Sequence, residues 1–124
     1  MGVPNTIVWV DIPVTDLDRA VRFYSAVLGQ TVTKENFGGS EFALLPHAED
    51  NVCGCLVCSD DNRPSGSGPL IYLNVEGRLD AAIAAVSVHG GRVLQGKHSI
   101  GPYGFRAIIQ DSEGNRLALH SKLP

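Results

Sequence analysis

The sequence predicts an α+β domain built from two βαβββ repeats that pair into a curved mixed sheet around a cleft. Three observations carry that expectation. Residues 6–14 alternate apolar side chains with others and are followed at once by apolar residues at helical spacing. The strand-then-helix pattern returns about half a chain later at an offset of 61 residues, aligning Val14 with Val75, Ala20 with Ala81 and Gly29 with Gly90. Near the end, the apolar run Phe105–Ile109, the turn Asp111-Ser112-Glu113-Gly114-Asn115 and the alternating stretch Arg116–Ser121 spell a β-hairpin. Neither copy can bury its sheet alone, so the two should pack together with helices covering the apolar faces.

The elements follow in order. Thr6 to Val14 is a strand, and Thr15-Asp16-Leu17-Asp18 caps a helix in which Leu17, Ala20, Val21, Tyr24, Val27 and Leu28 recur until Gly29 stops it. Thr31–Glu35, Glu41–Leu45 and Cys53–Cys58 are three short β-favouring runs, separated by Gly38-Gly39 and by the polar stretch from His47 to Asn51. Asp60–Gly68, rich in Asp, Ser, Pro and Gly, reads as a linker. Leu70–Val75 then forms a strand, Leu79–His89 a small-residue helix halted by Gly90-Gly91, and Arg92–Gln95, Phe105–Gln110 and Arg116–Ser121 the last three strands. The expected organisation is one domain over 1–124, with a first repeat at about 5–59, a linker at about 60–68 and a second repeat at about 69–122.

Parity sorts the faces, because successive side chains on a strand point to opposite sides. Val8, Val10, Ile12, Ile71, Leu73, Leu117 and Leu119 go to the helix side. Trp9, Asp11, Pro13, Leu70, Tyr72, Asn74, Arg116, Ala118 and His120 go to the cleft, which receives every polar group. Asp11 and His120 form the candidate catalytic pair, since an aspartate near an imidazole fixes its tautomer and makes it a general acid or base near neutral pH. Trp9 is placed to stack on a ligand, Tyr72, Asn74 and Arg116 to orient it, and Tyr103, between Gly101 and Gly104, to close over it. His89 reads as structural at a helix end, and His47 and His98 as loop residues facing solvent.

A net charge of −3 with no basic run argues against a nucleic-acid partner, and no apolar run reaches membrane-spanning length. With Met1-Gly-Val-Pro-Asn5 lacking a signal-peptide pattern, the expected location is cytoplasmic. Cys53, Cys55 and Cys58 are odd in number and crowded, which excludes a disulfide framework. Cys55 and Cys58 have zinc-knuckle spacing but lack a second pair, so they read as small apolar strand residues.

The stretch Asp11-Ile-Pro-Val-Thr-Asp-Leu-Asp-Arg-Ala-Val-Arg-Phe-Tyr24, with Tyr72-Leu-Asn-Val75, Gly90-Gly91-Arg92-Val93 and Asp111-Ser-Glu-Gly-Asn115, resembles the vicinal oxygen chelate superfamily. That superfamily includes glyoxalase I, bleomycin- and fosfomycin-resistance proteins, extradiol dioxygenases and methylmalonyl-CoA epimerase. The nearest likeness is to a bacterial glyoxalase-like branch with an acidic first strand and a His-Ser ending. The resemblance implies a small-molecule ligand, a homodimer and, for enzymatic members, a divalent metal held by His, Glu or Gln on the first and last strands of each half. Carried over position by position, three of the four ligands become Trp9, Leu70 and Ala118. The fourth lies on the strand from Cys53 to Cys58, where Gly54 and Leu56 have the parity opposite to the cysteines and no histidine or carboxylate is available. A metal cofactor is therefore not expected.

Three functions remain. A metal-free binding protein, of the antibiotic-sequestering kind, needs only a shaped cleft. A metal-free lyase or isomerase would use Asp11 and His120 for proton transfer with Tyr72, Asn74 or Arg116 stabilising the oxyanion. A metal-dependent lactoylglutathione lyase or dioxygenase would need Asp11 and His120 as shifted ligands, a slip of two that preserves parity.

Overall fold

The computed structural model describes residues 5–48 and 51–124. The reading of the chain start rests chiefly on residues 1–4, which lie outside the described residues, as do residues 49 and 50 of the polar stretch from His47 to Asn51.

The fold is the expected one. The first half forms β1 (Trp9–Pro13), α1 (Leu17–Leu28), β2 (Thr33–Phe37), β3 (Ser40–Leu44) and β4 (Cys53–Val57). The second forms β5 (Ile71–Asn74), α2 (Leu79–Val88), β6 (Arg92–Ser99), a 3-10 turn at Gly101–Tyr103, β7 (Phe105–Gln110) and β8 (Arg116–Ser121). Each half makes a four-stranded mixed sheet, ordered β1-β4-β3-β2 and β5-β8-β7-β6, in which the first strand runs parallel to the last. A groove of about 760 Å³ is flanked by the edge strands β1 and β5, with Val10, Ile12, Leu28, Ile71 and Leu73 on its walls.

Local chemistry explains the helices. The Asp16 carboxylate accepts from the Arg19 amide at 3.0 Å and starts α1, and Gly29, at φ 70°, ends it in a conformation that a side chain would resist. Ala20, Phe23, Tyr24, Val27 and Leu28 form its buried stripe. Helix α2 buries a narrower stripe, Leu79, Ala82 and Val86, and packs on α1. The repeat register shifts here: Leu17, Ala20 and Tyr24 correspond to Leu79, Ala82 and Val86, one residue beyond the offset that aligns Val14 with Val75, so Ala82 and not Ala81 is buried like Ala20.

The strand faces follow parity where pairing holds them. Ile12, Leu117 and Leu119 are buried on the helix side, whereas Tyr72 and Asn74 are exposed opposite to Ile71 and Leu73. Val8 departs from the expectation, because β1 begins only at Trp9, where pairing with Cys53 starts, and Val8 is 74% exposed. Strand β6 runs to Ser99, well past Gln95, so His98 lies on a strand, paired with Arg106, and not in a loop.

The halves are joined by the β7–β8 turn. Buried Asp111 takes the Tyr24 hydroxyl and the Asn115 side-chain amide on Oδ2 and the Glu113 and Asn115 backbone amides on Oδ1. Asn115 Nδ2 also donates to the Pro13 carbonyl at 2.7 Å. Glu113 Oε1 receives the backbone amides of Thr15 and Asp16 at the start of α1, and Arg19 Nε donates to Oε2 at 2.7 Å. At the other helix end Arg78 donates to the Val27 carbonyl at 2.6 Å, satisfying a C-terminal acceptor of α1 from the second half.

Burial pushes the Glu113 carboxyl up, but the Arg19 guanidinium and the helix-start amides outweigh it and hold the group at about 2, below its ordinary 4.5. Folding thus favours the ionised form, and its contribution is complete above pH 4.5 and disappears as pH falls through about 2. Glu113→Gln should flatten the loss of stability across that interval in denaturant melts; an unchanged acid profile would show that the turn is not held by this charge. Tyr24→Phe, which removes a donor to buried Asp111, should cost about 1–3 kcal/mol in the same melts.

Candidate functional site

The sequence-chosen residues fall into two groups. On the first sheet, Trp9 Nε1 donates to Asp11 Oδ1 at 2.8 Å, and the Cys55 thiol donates to the same oxygen at 3.3 Å. The parallel register sets Cys53 beside Trp9 and Cys55 beside Asp11, so the cysteines, and not Gly54 and Leu56, share the face of Asp11. Burial first, and then the Asp11 carboxylate, push the Cys55 thiol up to about 11, so it stays protonated near neutral pH.

On the second sheet, Tyr72, Ile100, Tyr103, Arg106 and His120 line a pocket of about 510 Å³. One cross-strand row supplies two of these residues: Asn74 pairs with His120, His120 with Arg106, and Arg106 with His98. His120 Nε2 lies 2.7 Å from the Tyr103 carbonyl. A carbonyl only accepts, so Nε2 carries the proton and the lone pair of the neutral ring sits on Nδ1. Arg106 Nε donates to His98 Nε2 at 3.0 Å, and His98 Nδ1 completes the chain to the Gly96 carbonyl at 2.8 Å. Arg106 also donates to the Tyr72 hydroxyl and lies over that ring, 5.8 Å from its centroid. The Tyr103 turn is held tightly, since a side chain at Gly104 would meet the Ser121 carbonyl at 2.6 Å.

The structure gives Asp11 and His120 different partners and joins them by no hydrogen bond or ion pair. Tyr72, Tyr103 and His120 come together; Trp9 stays with Asp11. Asn74 lines the larger groove and accepts from the Glu76 amide at 2.9 Å. Arg116, opposite Gln110 at the start of β8, is exposed and lines neither cavity. Sequence reasoning missed Arg106 and Ile100. For Arg106 a signal existed: counting back from the hairpin turn pairs it with His120, on the same face.

Comparison with known proteins completes the description. A model of the Glyoxalase/Bleomycin resistance protein/Dioxygenase superfamily matches residues 6–119. The chain is 32% identical over 115 residues to a glyoxylase-like domain-containing protein of Didymella fabae, covering 89% of this chain and 88% of that one. It is 26% identical to CFP32 of Mycobacterium bovis over 121 residues, 95% of this chain and 45% of that protein, so it spans about half of that relative. A glyoxalase/bleomycin resistance protein from Albidiferax ferrireducens shares the fold with a TM-score of 0.72 at 19% identity, over 94% of this chain and 99% of that one.

The enzymatic members' metal can be tested against these residues. The Trp9 indole donates to Asp11, Ala118 is fully buried, and Leu70 offers only carbon. Cys55, a protonated thiol tied to Asp11, stands on the inward face of β4. Among the described residues no three His, Cys, Asp or Glu side chains are grouped to hold an ion. The residues present do not fit the metal.

Cys58 is exposed and Cys55 buried, so iodoacetamide at neutral pH should alkylate Cys58 first and Cys55 last, as read by peptide mass spectrometry. Early labelling of Cys55 would contradict its raised thiol.

Proposed function

Because the chain belongs to the Glyoxalase/Bleomycin resistance protein/Dioxygenase superfamily, we propose that it is a glyoxalase-like small-molecule-binding protein whose ligand occupies the Tyr72–His120 pocket without the metal of its enzymatic relatives. One observation carries the reading: three of the positions that the resemblance assigns to metal ligands hold Trp9, Leu70 and Ala118, while the second sheet keeps a pocket lined by two tyrosines, an isoleucine, an arginine and a histidine. Aromatic walls with a few directed polar groups are the usual lining of a small-molecule site.

A second reading, a metal-free lyase or isomerase, draws on the His120 tautomer. The Tyr103 carbonyl fixes the proton on Nε2, which leaves Nδ1 as the base for a bound substrate. Asp11, bound to Trp9 and Cys55, plays no part in that arrangement. The proposed homodimer is supported by the outer edges of β1 and β5, which pair with no strand of this chain among the described residues, and sedimentation as a monomer across micromolar concentrations would remove it.

Protein equilibrated in turn with nickel, zinc, manganese and ferrous iron, then dialysed, should retain only substoichiometric metal by elemental mass spectrometry. Stoichiometric metal lost in Asp11→Ala or His120→Ala would overturn the metal-free reading. Ligands found by screening should bind His120→Ala more weakly than the parent, and any turnover should vanish in that variant with its pH dependence.

A further inference from the structure

The pocket's permanent charge is the Arg106 guanidinium. Arg106 is half-buried, and among the described residues no carboxylate forms an ion pair with it. The contrast lies within the same sheet. Lys97, next to His98 on β6, is paired with Asp80 at 3.0 Å on the opposite side. The acidic side chains nearest in sequence to the pocket strands are engaged elsewhere, with Glu76 accepting the Lys122 amide at 2.7 Å.

Five N–H groups leave a guanidinium in a flat fork. His98 takes the Nε hydrogen and the Tyr72 hydroxyl takes one on Nη1, which leaves three without a partner among the described residues. Those two contacts also fix the plane of the fork, so its orientation is set before a ligand arrives. The Tyr72 hydroxyl, having accepted from Arg106, still has its own hydrogen to donate. Around this polar floor stand Tyr72, Tyr103 and Ile100, which offer flat and apolar surface to the body of a ligand.

Resting on the small-molecule reading of this pocket, we propose that its ligand is a carboxylic acid with a planar, aromatic body, its carboxylate held on the Arg106 fork and its ring against Tyr72 and Tyr103. Arg106 is the anion-binding residue, and His98, which touches the guanidinium and does not line the pocket, is its positioning residue. A carboxylate matches the fork in two parallel hydrogen bonds, a geometry that a lysine ammonium cannot reproduce.

The test uses three probes on the full chain: benzoate, its uncharged analogue benzamide, and acetate, which keeps the charge and drops the ring. Titration calorimetry should give benzoate an affinity at least about tenfold above both others, a difference on the scale of one charge-assisted hydrogen bond. Arg106→Gln should lower benzoate to the level of benzamide. Arg106→Lys, which keeps the charge without the fork, should fall between them, and His98→Ala should weaken benzoate alone. Equal binding of benzoate and benzamide, or a preference that survives Arg106→Gln in a variant melting like the parent, would overturn the acid while leaving the pocket. The resonances of Tyr72, Tyr103 and His120 report on the pocket itself. If they move with benzamide or another uncharged planar compound but show no preference for benzoate, only the present inference falls; if no planar compound moves them, the small-molecule reading falls and takes the inference with it.

Discussion

The contact on which the structure depends is the docking of the β7–β8 turn against the start of α1. Asp111, Glu113 and Asn115 are polar residues placed where two apolar half-domains meet, and each is satisfied across that boundary. Asp111 is 2% exposed and accepts four hydrogen bonds, a saturation that makes a buried carboxylate tolerable. Burial and the neighbouring carboxylate push the Tyr24 phenol well above its ordinary range, so it remains a donor there. Moving either half away would expose α1 and α2 together and leave these groups without partners. The relative placement of the two sheets is therefore fixed by directed bonds as well as by the shared core of Phe23, Val27, Ala82 and Val86.

The two halves have put the same face to different uses. On the first sheet the inward polar groups close on one another: the Asp11 carboxylate is occupied by Trp9 and Cys55. On the second sheet Arg106 and His120, paired across neighbouring strands, face a pocket, and among the described residues no carboxylate forms an ion pair with Arg106. The repeat supplies two equivalent faces, and among the described residues the second combines apolar walls with a charge that forms no ion pair.

The scaffold is that of the glyoxalase and dioxygenase family, with the first and last strands of each half pairing parallel. At the positions the resemblance assigns to ligands those strands carry an indole and an alanine, and their acid and imidazole, Asp11 and His120, are joined by no hydrogen bond or ion pair. What the family shares is the geometry of the sheets, and the proposed binding role uses that geometry without the coordination chemistry.

The sequence by itself determined what depends on neighbours in the chain. Alternation fixed which side of β1, β5 and β8 is apolar, helical spacing and Asp16 and Gly29 set the limits of α1, and the turn residues Asp111–Asn115 announced the hairpin. These signals are legible because a strand repeats every two residues and a helix every 3.6, so a short window contains them. Only the tertiary structure decided which inward residues meet. The bond between Tyr24 and Asp111 spans 87 positions, that between Thr15 and Glu113 spans 98, and no periodicity encodes such distances. The same holds for Asp11 and His120, which share a parity yet end with Trp9 and Tyr103 as partners, because parity gives the side of a sheet and not where one sheet stands relative to the other.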